Sequence, residues 1–244
     1  MLNKKILTAA VATALMSGSG ASLADWDDFE ISGNVALTSD YRFRGISQSD
    51  TSGAIQGGFD VEFSPGFYIG TWGSSVDFDS NDGYDGSLEL DYYAGWASAI
   101  GDTDFGIDVG YAYYDYPGDN GDEGDYQEFY VSGSWRDFSL SVNYSDDYYA
   151  ETDDFWYFAA DYSHRLFVDE LSLGLHVGYN KLEENGGFLS SDEDNYTDWS
   201  VSLTYSVWGV DLAVAYVDTT LDDDDVFGTD WADSTAVFTI SKSM

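Results

Sequence analysis

The chain has 244 residues, and its 46 acidic residues against eight basic ones give a formal charge of −38. That balance excludes nucleic acid as a partner, because phosphates are met by Lys and Arg, and the lack of cysteine excludes disulfide stapling. Acidity of this degree often means disorder, but 18% of the residues are aromatic and only two are proline. Such a composition predicts a folded chain built mostly of strands.

The first predicted element is a leader. Lys4 and Lys5 precede an apolar run from Ile6 to Met16, and Ser22 and Ala24 sit three and one residues before a break at Asp25. This is the pattern of a cleaved secretory signal peptide, residues 1–24. Residues 25–244 then form a single domain in which six cations face 46 acids, a net charge of −40. No later stretch offers the run of about 18 apolar residues that a membrane-spanning helix needs.

From residue 29 onward the hydrophobic period is two. Phe105, Ile107, Val109, Tyr111 and Tyr113 alternate with Gly106, Asp108, Gly110 and Ala112. Likewise Leu171, Leu173, Leu175, Val177 and Tyr179 alternate with Ser172, Gly174, His176 and Gly178. Alternation of this length predicts strands with one apolar and one polar face. Twelve such segments are expected, near 29–46, 53–63, 66–78, 86–98, 103–115, 125–135, 137–148, 155–166, 169–180, 197–207, 209–217 and 233–243.

Their connections alternate in kind. Five are tight (64–66, 100–102, 136–137, 167–169 and 208–209), and six are longer and acidic, the last containing Asp222 to Asp225. Short turns at one end and long loops at the other predict an all-β, up-and-down antiparallel transmembrane barrel. Aromatic residues fall into two belts. Phe67, Trp96, Trp135, Phe167 and Trp208 lie beside the tight turns; Tyr84, Tyr113, Tyr126, Tyr148, Trp156, Trp199, Tyr216 and Trp231 lie toward the long loops. Eight strand steps from Phe105 to Tyr113, at ~3.3 Å each and ~40° of tilt, rise ~20 Å, close to the lipid-facing band of such barrels. A soluble β-sandwich also alternates, but has no reason to pair short and long connections or to belt its aromatics.

If the apolar set faces lipid, the other set faces the lumen, placing Asp60, Glu62, Glu89, Asp91, Asp108, Glu128, Asp161 and Asp211 inside among small residues. Carboxylates in that position favour cations. The same parity carried through strand one sends Tyr41 and Phe43 to the outer belt and Arg42 and Arg44 to the lumen near the outer mouth. A hairpin turning near Asp50 would set Arg42 opposite Gly58 and Asp40 opposite Asp60.

The stretches VALTSDYRFRGISQSD and AIQGGFDVEFSPGFYIGTWGSSVDF, within residues 33–78, resemble the start of the TorF-type porin family of proteobacterial outer membranes. Arg42, Arg44 and Gly45 fall on that family's Tyr-Arg-Phe-Arg-Gly core. The resemblance implies an outer-membrane β-barrel engaged in passive transport, and it carries no catalytic residues.

Enzyme chemistry has little to stand on. His164 and His176 are the only histidines, with no motif around them. An EF-hand beginning at Asp77 would need Gly and Glu where Asp82 and Leu88 stand, and one beginning at Asp119 ends on Tyr130. No catalytic residue, metal site or cofactor is therefore expected. The expected function is a porin-like outer-membrane channel passing small solutes, with a preference for cations. Its expected partners are lipid and lipopolysaccharide, the barrel-assembly machinery, and small polar or cationic solutes. The apolar Met244 closing the last strand resembles an assembly signal. The alternative is a closed structural or adhesive barrel whose loops bind divalent cations or another surface, and its mark would be a lumen plugged by side chains.

Overall fold

The computed structural model describes residues 24–26, 29–78, 86–118, 124–183 and 187–244. The predicted leader, Ala24 apart, lies outside these residues, as do Tyr84 and parts of the two EF-hand-like stretches.

Twelve antiparallel strands close on themselves. They are β1 Phe29–Thr38, β2 Ala54–Phe63, β3 Phe67–Ser75, β4 Leu88–Ala99, β5 Phe105–Asp115 and β6 Tyr126–Trp135, followed by β7 Phe138–Ser145, β8 Phe155–Arg165, β9 Leu171–Lys181, β10 Asn195–Val207, β11 Val210–Thr219 and β12 Thr235–Ser243. Each pairs with its neighbour in sequence, and β12 closes on β1 with Thr239 opposite Thr38 and Ser243 opposite Asn34. Met244 and Gly33 extend that seam by exchanging two backbone hydrogen bonds, of 2.8 and 3.0 Å. Closure leaves none of the twelve strands as an open edge, which is what permits β-structure in lipid. The short segment Ala24–Trp26 folds back antiparallel on the start of β1.

Strand alternation sorts the side chains as expected. Leu37, Phe59, Ile69, Phe129, Leu140, Phe158, Val177 and Phe238 are exposed on the outside, the arrangement of a lipid-facing band. At the tight-turn end Phe67, Trp135, Phe167 and Trp208 are exposed. At the other end Trp156 and Tyr216 are exposed on the outer surface, and Trp199 stacks obliquely on Tyr216, 5.5 Å between centroids. The third strand carries aromatics on both faces and alternates regularly: Phe67 and Ile69 face out, while Trp72 is buried inside at 7% exposure.

Three expectations fail, all at the long-loop end. Strand one does not run to residue 46; it stops at Thr38, and residues 39–53 turn into the barrel. Asp40 and Arg42 therefore face neither Asp60 nor Gly58, which pair with Ser32 and Asn34. Tyr41 and Phe43 are not belt residues: Tyr41 belongs to the interior core, as do Tyr126, Tyr148 and Trp231, and Phe43 packs half-buried against it. Tyr41 and Phe43 follow strand parity only if the strand continues, and once a loop bends inward parity no longer sets direction; Tyr126, in β6, shares the inward parity of Glu128, so nearness to the long loops did not make it a belt residue.

Candidate functional site

The site is the lumen, and its outer half is filled. Loop 39–53 carries a two-rung hairpin, Arg42–Phe43 against Ile46–Ser47, whose tip is formed by Arg44 and Gly45. Both tip residues are in the left-handed region, φ 48° and 85°. Only glycine fits at 45, since a side chain there would collide with Thr219 and Asp198 on the barrel wall. At the hairpin's base the Asp40 carboxylate accepts from Arg42 Nε (2.6 Å) and Ser47 Oγ (2.7 Å). The Arg42 guanidinium also donates to the carbonyls of Trp231 (2.6 Å) and Asp233 (3.1 Å), and so ties this loop to the last long loop.

Arg44 reaches across the barrel. Its guanidinium pairs end-on with Glu128 of β6 through Nη1 and Nη2, at 2.7 and 2.8 Å, and donates to the Tyr148 hydroxyl at 3.2 Å. The rings of Tyr157, Phe43 and Phe155 lie 4.3 to 4.8 Å from its central carbon. Arg44 and Glu128 are 3% and 0% exposed. Burial opposes the guanidinium's charge, but the adjoining Glu128 carboxylate more than offsets this and raises its pKa, so the guanidinium stays charged. Around it the Tyr114 and Tyr126 rings stack at 4.4 Å, and those of Tyr148 and Phe155 at 3.9 Å. Tyr41 packs edge-on against Trp72 at 5.6 Å and donates its hydroxyl to Glu89 at 3.2 Å.

The predicted lumen residues all lie on inward-facing strand positions, in two different settings. Glu89, Asp91 and Glu128 are walled in by the loop at 2% exposure or less. Asp60, Glu62, Asp161 and Asp211 are only half-buried. Asp60 accepts from Tyr93 (2.5 Å), Asp161 contacts His176 Nδ1 (2.7 Å), Asp211 accepts from Ser206 (2.5 Å), and Glu62 sits opposite Glu30. Asp108, 6% exposed, accepts from Tyr68 at 2.7 Å, and Tyr68 in turn bonds Tyr130. The acids thus form no single ring. Arg42 and Arg44 are also inside, but they enter on the loop and not from the wall.

Several contributors escaped the sequence reading. His176 lies between Asp161 and Asp198 (3.0 Å to the latter) and bonds the Tyr157 hydroxyl at 2.9 Å; Asn180 donates to Asp198 at 2.8 Å. Four inward tyrosines lie against inward glycines: Tyr93 over Gly70, Tyr68 over Gly95, Tyr130 over Gly110 and Tyr157 over Gly178. These glycines are floors for phenol rings. Their pairing with tyrosines on neighbouring strands was the available signal.

A family model described as "Bacterial protein of unknown function (Gcw_chp)" matches residues 24–244. The chain belongs to the Gcw_chp family. No curated protein sequence matches this Gcw_chp chain. Among solved structures it is similar to the KdgM porin, with TM-score 0.52, 12% identity, and 87% of this chain and 97% of that one covered. The same porin in complex with disordered oligogalacturonate gives TM-score 0.51, 11% identity, and coverage of 87% and 96%. The outer membrane channel DcaP of Acinetobacter baumannii aligns with TM-score 0.45, 11% identity, and coverage of 89% and 72%. The KdgM likeness supports the fold: a closed antiparallel barrel of the outer-membrane porin kind.

Proposed function

We propose that this Gcw_chp protein is a porin-like channel of TorF type in a bacterial outer membrane, passing small solutes by diffusion with a preference for cations. The observation that carries the reading is the closed twelve-strand barrel whose outer surface is apolar while its inner surface bears carboxylates. An apolar outside suits lipid and an acid-lined inside suits water and cations. Export follows cleavage after Ala24. The partners of this reading are lipid and lipopolysaccharide at the aromatic belts, the barrel-assembly machinery, and small polar or cationic solutes. Loop 39–53 sets the resting conductance, since Arg44 and its rings occupy the outer half of the lumen.

Planar-bilayer recording on the refolded mature protein tests this. Reversal potentials across a KCl gradient should show cation preference, strongest at low salt, where screening extends over more than ~10 Å. An anion preference would mean that the arginines face the narrowest point of the path and would overturn the selectivity.

One observation favours a second reading, that of a closed structural barrel: the outer lumen is packed like a protein core, with Tyr114, Phe155 and Glu128 at 1% exposure or less. The double substitution Arg42→Gln, Arg44→Gln separates the two. A channel gated by the loop gains conductance; a closed barrel stays silent or fails to insert.

A further inference from the structure

At the outer mouth, above Arg44, lies a cavity of about 290 Å³. Its walls are mostly rings, among them Phe43, Tyr126, Tyr148, Tyr149, Phe188 and Trp231. The walls draw on all six long loops and on β6 and β10, so the site exists only when those loops are packed together. For scale, an apolar cavity of roughly 150 Å³ accommodates benzene; this one has room for a small branched organic group.

Carboxylates outnumber cations around the cavity. The Trp231 indole N–H donates to Asp50 at 2.8 Å. Asp125 accepts from the Tyr113 hydroxyl and from the backbone N–H of Tyr116, which lines the cavity. Asp222 to Asp225 lead into Val226, another lining residue. The three cations nearest the mouth are all committed: Arg42 to Asp40, Arg44 to Glu128 and Lys181 to Asp194. Aromatic faces carry negative electrostatic potential, and enclosure strengthens their attraction for a cation that is itself poorly hydrated. A neutral apolar guest would gain only the burial. A metal ion would find rings in place of oxygen ligands, and no metal-binding group of three or more acids or histidines occurs among the described residues.

We propose that this mouth cavity binds small organic cations of the quaternary-ammonium class, held by the ring faces and drawn in by the surrounding carboxylates. Binding requires only the packed loops, so it stands whether or not the barrel conducts.

Isothermal titration of the detergent-refolded mature protein with choline, and separately with its uncharged isostere 3,3-dimethylbutan-1-ol, tests the proposal. Choline should bind about tenfold more tightly than the alcohol, as expected for a partly desolvated cation–π site. Equal affinities would show a merely apolar cavity, and no heat with either would show no site; both overturn the proposal. Tyr149→Leu and Phe188→Leu change half-buried rings outside the Arg44 stack. Each should weaken choline severalfold while binding of the alcohol changes little. Unchanged choline binding in both folded variants would place its binding elsewhere and overturn the proposal. If a variant fails to fold, the isostere comparison on the unmodified protein can still overturn the proposal.

Discussion

The two halves of one lumen are built from the same strands with the same alternation, yet they differ in kind. Toward the long loops Glu89, Asp91, Glu128 and Asp198 are 2% exposed or less, sealed beneath Arg44 and a shell of tyrosines. Toward the tight turns Glu62, Asp161 and Asp211 keep contact with the interior space. Alternation decides which face of a strand is inward, but whether that face is wet or dry depends on what the loops place against it. A carboxylate that would draw a cation through the inner half serves, in the outer half, as the seat of a latch.

The largest expected effect follows from removing that latch. Arg44→Ala leaves Glu128 buried and unpaired, a change that costs about 3–5 kcal/mol. The loop should leave its seat, and single-channel conductance should rise while the barrel stays intact on heat-modifiability gels. Replacing both partners, Arg44→Met with Glu128→Leu, should restore the low conductance, because an apolar pair of similar volume packs without a charge to satisfy. If Arg44→Ala conducts like the parent, the outer half is not the barrier.

Gly45→Ala sharpens the comparison at intermediate size. The left-handed φ and the contact with Thr219 make any side chain strained there, at about 1–3 kcal/mol. Partial unseating should appear as flickering conductance and as faster protease cleavage within 39–53. A smaller effect is expected in the inner half. Glu62→Gln removes one of two like charges set opposite each other, Glu30 and Glu62, and should stabilise the barrel by a few tenths of a kcal/mol. Its reversal potential should shift toward zero, whereas Arg44→Ala should act chiefly on conductance. Smallest of all, Arg136→Asn breaks the Arg136–Asp104 pair, in which both side chains are more than 60% exposed. Asn tolerates the positive φ at this turn, so stability should stay within about 0.5 kcal/mol.

What was legible in the sequence was whatever is local. The Arg136-Asp137 and Trp208-Gly209 turns, the Phe105–Tyr113 stripe and the inward parity of Asp60 to Asp211 all follow from short-range periodicity, and all hold as geometry. The plug was not legible, because Tyr41, Arg42, Phe43 and Arg44 alternate just as a strand would. Ser39-Asp40 before them and Gly45 with Ser47, Ser49 and Ser52 after them were the turn signals that spoke for a loop. The partners of Arg44 could not be read at all: Glu128 and Tyr148 are 84 and 104 residues away, and only closure of the barrel brings them across from it.

That separation bears on the order in which the molecule is made. Loop 39–53 belongs to the first hairpin of the barrel, but its seat is assembled from β4, β5, β6 and β8, which follow it in the chain. The latch therefore cannot engage until most of the wall stands, and the wall must form around an unfilled interior. Assembly is expected to have an early step that creates a hollow cylinder and a late one that fills it, with the long-range contacts locking last. Quenching at Trp72, beside Tyr41, should then lag behind the acquisition of heat-resistant mobility during refolding.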